Sequence, residues 1–211
     1  MIKIENYSKV YKDKTVLNNI NLELKEGKIY GFIGKNASGK TMLFKAICGF
    51  IIATKGKIFI NNKEIGRDID FPEKCGVIIE TPGFINNISG FKNLKILASI
   101  NDSINDDKIK ESMELVGLNP NEKISVKKYS LGMRQKLAIA QAIMEEPELL
   151  ILDEPMNSLD SDSVENIRNI LLDIKSKGTT ILISSHNIDD INILSDEIYK
   201  VENGVVSKLD S

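Results

Sequence analysis

The 211-residue sequence predicts an α/β fold whose mainly parallel sheet is interrupted by an all-helical lobe. Three observations predict it. Apolar runs of strand length alternate with helical spacings in the first and last thirds of the chain, while the middle third keeps the helical spacing alone. The third is a glycine-rich turn, Gly34-Lys35-Asn36-Ala37-Ser38-Gly39-Lys40-Thr41, set between an apolar strand and a helix.

Alternation in the first residues runs to Val10-Tyr11. It resumes in Thr15-Val16-Leu17 and Ile20-Asn21-Leu22-Glu23-Leu24, and Glu26-Gly27 forms a turn. Lys28 to Ile33 has the continuous apolar character of a buried strand, and Thr41 to Phe50 has helical spacing through Met42, Leu43, Ala46 and Ile47. Gly56 to Ile65 is expected to be a hairpin turning at Asn61-Asn62. Strand-like Gly76-Val77-Ile78-Ile79 ends at Glu80 and meets Thr81-Pro82-Gly83. Helices follow over Phe91 to Ile100, Asp106 to Val116 (capped by Asn105-Asp106-Asp107) and Leu131 to Met144, with a loop from Asn119 to Lys128. Alternation then returns: strand Leu149 to Leu152, helix Ser161 to Lys177, strand Thr180 to Ile183, helix Ile188 to Leu194. A hairpin of Glu197 to Val201 and Val205 to Lys208 closes the pattern at Asn203-Gly204. The expected organisation is one domain over 1–211. Residues 1–80 and 147–211 form the core with its N-terminal β subdomain, and 81–146 form the helical lobe.

Composition narrows the function classes. The 42% hydrophobic and 27% charged fractions are those of a globular protein. A net charge of −2 gives no bulk attraction for nucleic acid or an anionic membrane. Cys48 and Cys75 sit in apolar surroundings without metal-ligand spacing and are expected to be free thiols in a reducing compartment. With no apolar leader and no bilayer-length apolar run, the chain is expected in the cytoplasm, reaching a membrane only through a partner.

Four motifs carry chemistry. The strand and helix around Gly34 to Thr41 are the context that confirms a phosphate loop: backbone N–H groups turn inward, Lys40 neutralises β- and γ-phosphate charge, and the Thr41 hydroxyl can hold Mg²⁺. Leu149-Leu150-Ile151-Leu152-Asp153-Glu154 ends an apolar strand in two carboxylates, where ligands bind in open α/β sheets. Asp153 would orient Mg²⁺ and Glu154 would act as general base on water. His186, the sole histidine, follows a strand at the same edge and can donate to a γ-phosphate. Tyr129-Ser130-Leu131-Gly132-Met133 opens a helix, where N–H groups and the helix dipole favour an anion. Ser130 reads equally as that helix's N-cap, and the two roles are compatible.

In their order along the chain these residues resemble the ATP-binding subunits of ABC transporters, over essentially the whole length. Gly34 to Thr41 looks like the Walker A motif, Leu149 to Glu154 like Walker B, Ser158-Leu159-Asp160 like the D-loop and His186 like the switch histidine. Tyr11 matches the aromatic that stacks on adenine. Glu80 holds the position of the Q-loop glutamine, and Tyr129 to Met133 aligns with the signature L-S-G-G-Q. The resemblance implies a P-loop NTPase core of RecA type with an antiparallel β subdomain and an inserted helical lobe, using ATP and Mg²⁺. Gly34, Asn36, Ala37, Ser38, Gly39, Lys40, Thr41 and Met42 would hold the nucleotide, with Thr41, Asp153 and Glu80 on the metal. It also implies a homodimer or heterodimer, in which Ser130 and Gly132 reach the partner's γ-phosphate, docked on a separate transmembrane permease at the inner face of the cell membrane.

Two departures stand out. Leu131 and Met133 replace a glycine and the glutamine of the signature. Glu80 can ligate a metal but, ionised, cannot donate a hydrogen bond. This combination resembles the bacitracin and lantibiotic self-protection exporters, which implies export of a peptide antibiotic or similar amphiphile. A regulatory ABC ATPase or binding module is the alternative. A translation factor would carry two cassettes, a DNA-maintenance protein a long insertion, and a kinase or GTPase no signature. Phe84, Ile85, Ile88 and Phe91 have two readings, packing beneath the helical lobe or forming a groove for a permease helix.

Overall fold

The computed structural model describes residues 2–80, 83–101 and 104–209. Thr81 and Pro82 of the expected turn lie outside the described residues. In chain order the elements are β1 (Ile2–Tyr11), β2 (Lys14–Leu24), β3 (Ile29–Ile33), α1 (Lys40–Ile47), β4 (Lys55–Ile60), β5 (Lys63–Glu64) and β6 (Cys75–Ile78). Next come α2 (Gly90–Asn101), α3 (Asp106–Leu115), a 3₁₀ turn at Val126–Lys128 and α4 (Leu131–Ile143). The chain continues through β7 (Leu149–Asp153), α5 (Ser161–Ser176), β8 (Thr180–Ser184), α6 (Ile188–Leu194), β9 (Glu197–Glu202) and β10 (Val205–Lys208).

Two sheets result. One is antiparallel, in the order β2-β1-β4-β5; the other runs β10-β9-β3-β8-β7-β6, parallel from β9 to β6 and antiparallel only at the β10 edge. Burial on both faces explains the unbroken apolar runs of the central strands. On β7, Leu150 and Leu152 pack with the helical lobe, while Leu149 and Ile151 pack towards the antiparallel sheet. Ile181 and Ile183 of β8 face the first cluster and Leu182 the second, the period of two that a pleated strand imposes. α4 lies so close to β6 that a Cβ on Gly76 would stand 1.9 Å from the Ala142 carbonyl oxygen.

The sequence reading splits β2 at Asn18-Asn19, but the structure continues one strand through that point. Register shifts in its pairing with β1 absorb the irregularity, with Asn6 and Asn19 at φ 48° and 47°. The hairpin at Asn61-Asn62 forms as expected, both residues having positive φ (47° and 65°) as a two-residue turn of type I′ requires. Asn105 caps α3 by accepting from the Lys108 N–H, and α1 ends short of Phe50 because Gly49 turns at φ 77°. The 3₁₀ turn had no counterpart in the sequence reading. Cys48 and Cys75 are both free thiols, and a hydrogen bond with Cys48, together with burial, holds the Cys75 thiol well above its ordinary pKa. Among the described residues no helix is long and apolar enough to cross a membrane.

Gly76→Ala should therefore lower the unfolding free energy by about 1–3 kcal/mol or more, because the obstruction is backbone. Gly83→Ala, with nothing within 4 Å of its added Cβ, should stay within about 0.5 kcal/mol in the same urea titration.

Candidate functional site

The parallel strands deliver β3, β7, β8 and β6 to one edge of the sheet by their C-terminal ends, and the phosphate loop folds over that edge. Gly34 leaves β3 at φ 158° because a Cβ there would lie 2.2 Å from the Val201 carbonyl oxygen; Gly39 enters α1 at φ 117°. Between them Ala37 holds φ 61°, a left-handed value that a non-glycine residue adopts at a cost. Ser38 Oγ is buried without a hydrogen-bond partner. The Lys40 ammonium is buried, donating to the Gly34 carbonyl at 2.7 Å and lying 3.9 Å from Glu154 Oε1.

Asp153 joins this loop to the sheet. Its Oδ2 accepts from Thr41 Oγ1 at 2.6 Å, and its Oδ1 accepts from Ser184 Oγ at 2.5 Å. Ser184 is fully buried, and its hydroxyl and carbonyl oxygens also accept the Glu154 N–H at 3.0 and 3.2 Å. This fixes Glu154 at φ 54° immediately beyond the strand. Its Oε2 accepts the His186 N–H at 3.1 Å and lies 2.8 Å from His186 Nδ1, so carboxylate and imidazole form a dyad.

A cavity of about 560 Å³ opens over the loop. Asn36 to Met42, Asp153 and Glu154 wall it together with Lys14, Val16, Asn203 and Gly204. Asn203 and Gly204, the β9–β10 turn, were not anticipated as site residues. Gly204 N–H donates to the Ser38 carbonyl at 2.9 Å, and a Cβ there would come 2.4 Å from the Val16 carbonyl oxygen. Ser184 was missed as well, since a serine ending a strand carries no sequence signal of its own.

The donor set fits a magnesium nucleotide. A hydroxyl and a carboxylate suit a hard cation that completes its shell with waters and phosphate oxygens. Among the described residues no group of three or more His, Cys, Asp or Glu could hold a metal alone, so phosphates have to supply the remaining charge. The unpartnered Ser38 hydroxyl and the glycines' missing Cβ atoms leave room and polarity for those phosphates.

Other expected residues lie apart from this cavity. Tyr11 ends β1, 45% exposed, with the Lys9 ammonium 4.7 Å from its ring centre, and is not among the cavity walls. The Glu80 carboxylate lies 2.6 Å from the Lys45 ammonium. Ser130 is exposed and accepts from the Met133 N–H at 3.1 Å as N-cap of α4; Leu131, beside it, is 73% exposed. Gly132 packs against the loop after β7, where a Cβ would meet the Ser158 carbonyl oxygen at 2.9 Å, and Gln135 Nε2 donates to the Pro155 carbonyl at 2.9 Å. Asp160 caps α5 by accepting from the Ser163 N–H, a bond that lowers its pKa. Of the apolar residues after Glu80, Phe84 and Phe91 pack on the core while Ile85 is exposed.

Comparison with known proteins agrees with this geometry. The family described as "ABC transporter" matches residues 17–157. The uncharacterised ABC transporter ATP-binding protein YybJ of Bacillus subtilis is 43% identical over 97% of this chain and 94% of its own length. The bacitracin transport ATP-binding protein BcrA of Enterococcus faecalis is 41% identical, covering 97% and 67%. The lantibiotic transport ATP-binding protein SrtF of Streptococcus pyogenes is 38% identical, covering 98% and 89%. The dimeric structure of MJ0796, a bacterial ABC transporter cassette, superposes with a TM-score of 0.89 at 24% identity over the full length of both chains and shares the fold.

Removing the Ser184 hydroxyl strips one partner from a carboxylate and one from a backbone N–H. Ser184→Ala should cost about 1.5–3 kcal/mol of stability in urea unfolding. A change below about 0.5 kcal/mol would mean that Asp153 is held without it.

Proposed function

This chain belongs to the ATP-binding family of ABC transporters, and we propose that it is the motor subunit of an exporter for a peptide antibiotic or similar amphiphile. The family assigns ATP binding and hydrolysis coupled to transport through a separate permease. The cargo follows the bacitracin and lantibiotic transport relatives. The chain would then work in the cytoplasm, peripheral to the inner face of the cell membrane and bound there only through its permease. The exposed Ile85 supplies one apolar contact for a permease helix, and residues 81–146 act as the lobe that carries the signature turn.

The observation that carries the mechanism is the Thr41–Asp153 hydrogen bond of 2.6 Å, which places the phosphate loop and the acid pair on one cavity. Thr41 and Asp153 would hold Mg²⁺, which would supply positive charge to the phosphates. Lys40 turns from the loop carbonyls to the phosphates, and backbone N–H groups at the start of α1 bind their remaining oxygens. Glu154 accepts the proton of the attacking water as the in-line displacement proceeds. Tyr11 offers its exposed ring to adenine. Ser130 and the Gly132 N–H complete the site from a second subunit, either another copy or a paralogue.

His186 holds Glu154 before it acts. With Nδ1–H given to the carboxylate, a neutral ring has only an acceptor left at Nε2. Donation to a γ-phosphate therefore requires either a doubly protonated ring or release of Glu154. Coupling base and sensor in this way keeps Glu154 oriented until the phosphate arrives.

Glu154→Gln keeps the side chain's shape and removes its basicity. It should bind ATP with near-unchanged affinity and lose about 10²- to 10⁴-fold in turnover. Equilibrium binding of a fluorescent ATP analogue, run beside a phosphate-release assay, reads both quantities. Turnover at the unmodified rate would remove Glu154 from the base role.

A further inference from the structure

The ion pair between Lys45 and Glu80 falls outside the mechanism above, yet it joins the phosphate-loop helix to the strand bordering the acid pair. Lys45 follows Thr41 by four residues on α1, so the two side chains share one helix face about 6 Å apart along the axis. β6 pairs in parallel with β7, Ile78 opposite Leu152, and Glu80 follows Ile78 by two residues as Glu154 follows Leu152. Glu80 thus pairs with a lysine one helix turn beyond Thr41 and follows the strand that neighbours the one ending in Asp153. Its backbone is held at φ 61°, and its carboxylate lies 2.6 Å from Lys45 Nζ.

We propose that Lys45 is a positioning residue that parks Glu80 one turn away from the Thr41–Asp153 pair, and that Glu80 exchanges Lys45 for the metal when a magnesium nucleotide binds. The proposal rests on Glu80 being a metal ligand. The side chains of Lys45 and Glu80 are 24% and 64% exposed, and so exposed an ion pair is weak enough to exchange. A glutamine at position 80 could not form this charge pair. The lysine therefore gives the carboxylate a resting place as well as a working one.

The readout is the ratio of dissociation constants for a fluorescent ATP analogue in EDTA and in saturating Mg²⁺, which measures how far the metal strengthens binding without needing turnover. Lys45→Met frees Glu80 and should raise that ratio about two- to five-fold, the scale of an exposed ion pair. Lys45→Arg, which preserves the pair, should leave it unchanged. Glu80→Gln should lower the ratio, and adding Lys45→Met to Glu80→Gln should change nothing further. An equal shift from Lys45→Met in both backgrounds would reduce Lys45 to a plain charge effect and overturn the proposal, as would no shift in either. If Glu80→Gln weakens the metal's contribution while Lys45→Met is silent, Glu80 remains a ligand and only the parking role fails. If Glu80→Gln is itself silent, the ligand reading fails and the parking role with it.

Discussion

The Asp153 carboxylate is the shared acceptor on which the site depends. One oxygen takes the Thr41 hydroxyl from the phosphate-loop helix and the other takes the Ser184 hydroxyl from β8, so three elements meet on one side chain. Ser184 then fixes the Glu154 N–H, and Glu154 fixes His186. These bonds can form because the parallel sheet brings β3, β7 and β8 to the same edge with their C-terminal ends together, as the helical crossovers between them require. Ser184 is fully buried at the centre of this polar chain, so losing its hydroxyl leaves a partner unpaired where water cannot replace it.

Some of the chain's left-handed backbone lies around the same edge. Ala37, Glu80, Glu154 and Ser158 all hold positive φ without being glycine. Such conformations persist where surrounding bonds over-determine them, as the two acceptors on the Glu154 N–H do. The beginning of α4 shows the same economy of parts. Ser130 caps the helix with its side chain while the exposed helix end leaves its first N–H groups available to an anion. Leu131 puts an exposed apolar side chain on that surface, so a second subunit docking there would meet a different face from the one a glycine would offer.

What the sequence made legible followed from local physics. Unbroken apolar runs marked strands covered on both faces, helical spacing marked α2 to α4, and the glycine loop with its strand and helix flanks marked the turn that walls the cavity. The acid pair at the end of β7 and His186 after β8 were legible for the same reason, since parallel strands share a C-terminal edge. Ser184, Asn203 and Gly204 were not, because their roles arise from pairings far apart in the chain and their residue types are ordinary at strand ends and turns. The break read into β2 came from the polar Asn18-Asn19 between two alternating stretches, where pairing with β1 instead absorbs Asn19 as an irregularity. The Lys45 pairing of Glu80 was invisible for a related reason: it depends on helix phase and strand register together.

The central claim is that one chain holds the phosphates and acid pair while its neighbour supplies the signature turn. Mixing two inactive variants tests this most directly. Lys40→Met disables a chain's own phosphate loop, and Ser130→Arg disables what it offers its neighbour. A mixed dimer retains one site with an intact loop and an intact signature. Each variant alone should turn over little ATP, and the mixture should recover a substantial part of the unmodified rate. A mixture as inactive as its components, or a Ser130→Arg chain as active as the unmodified protein, would contradict it.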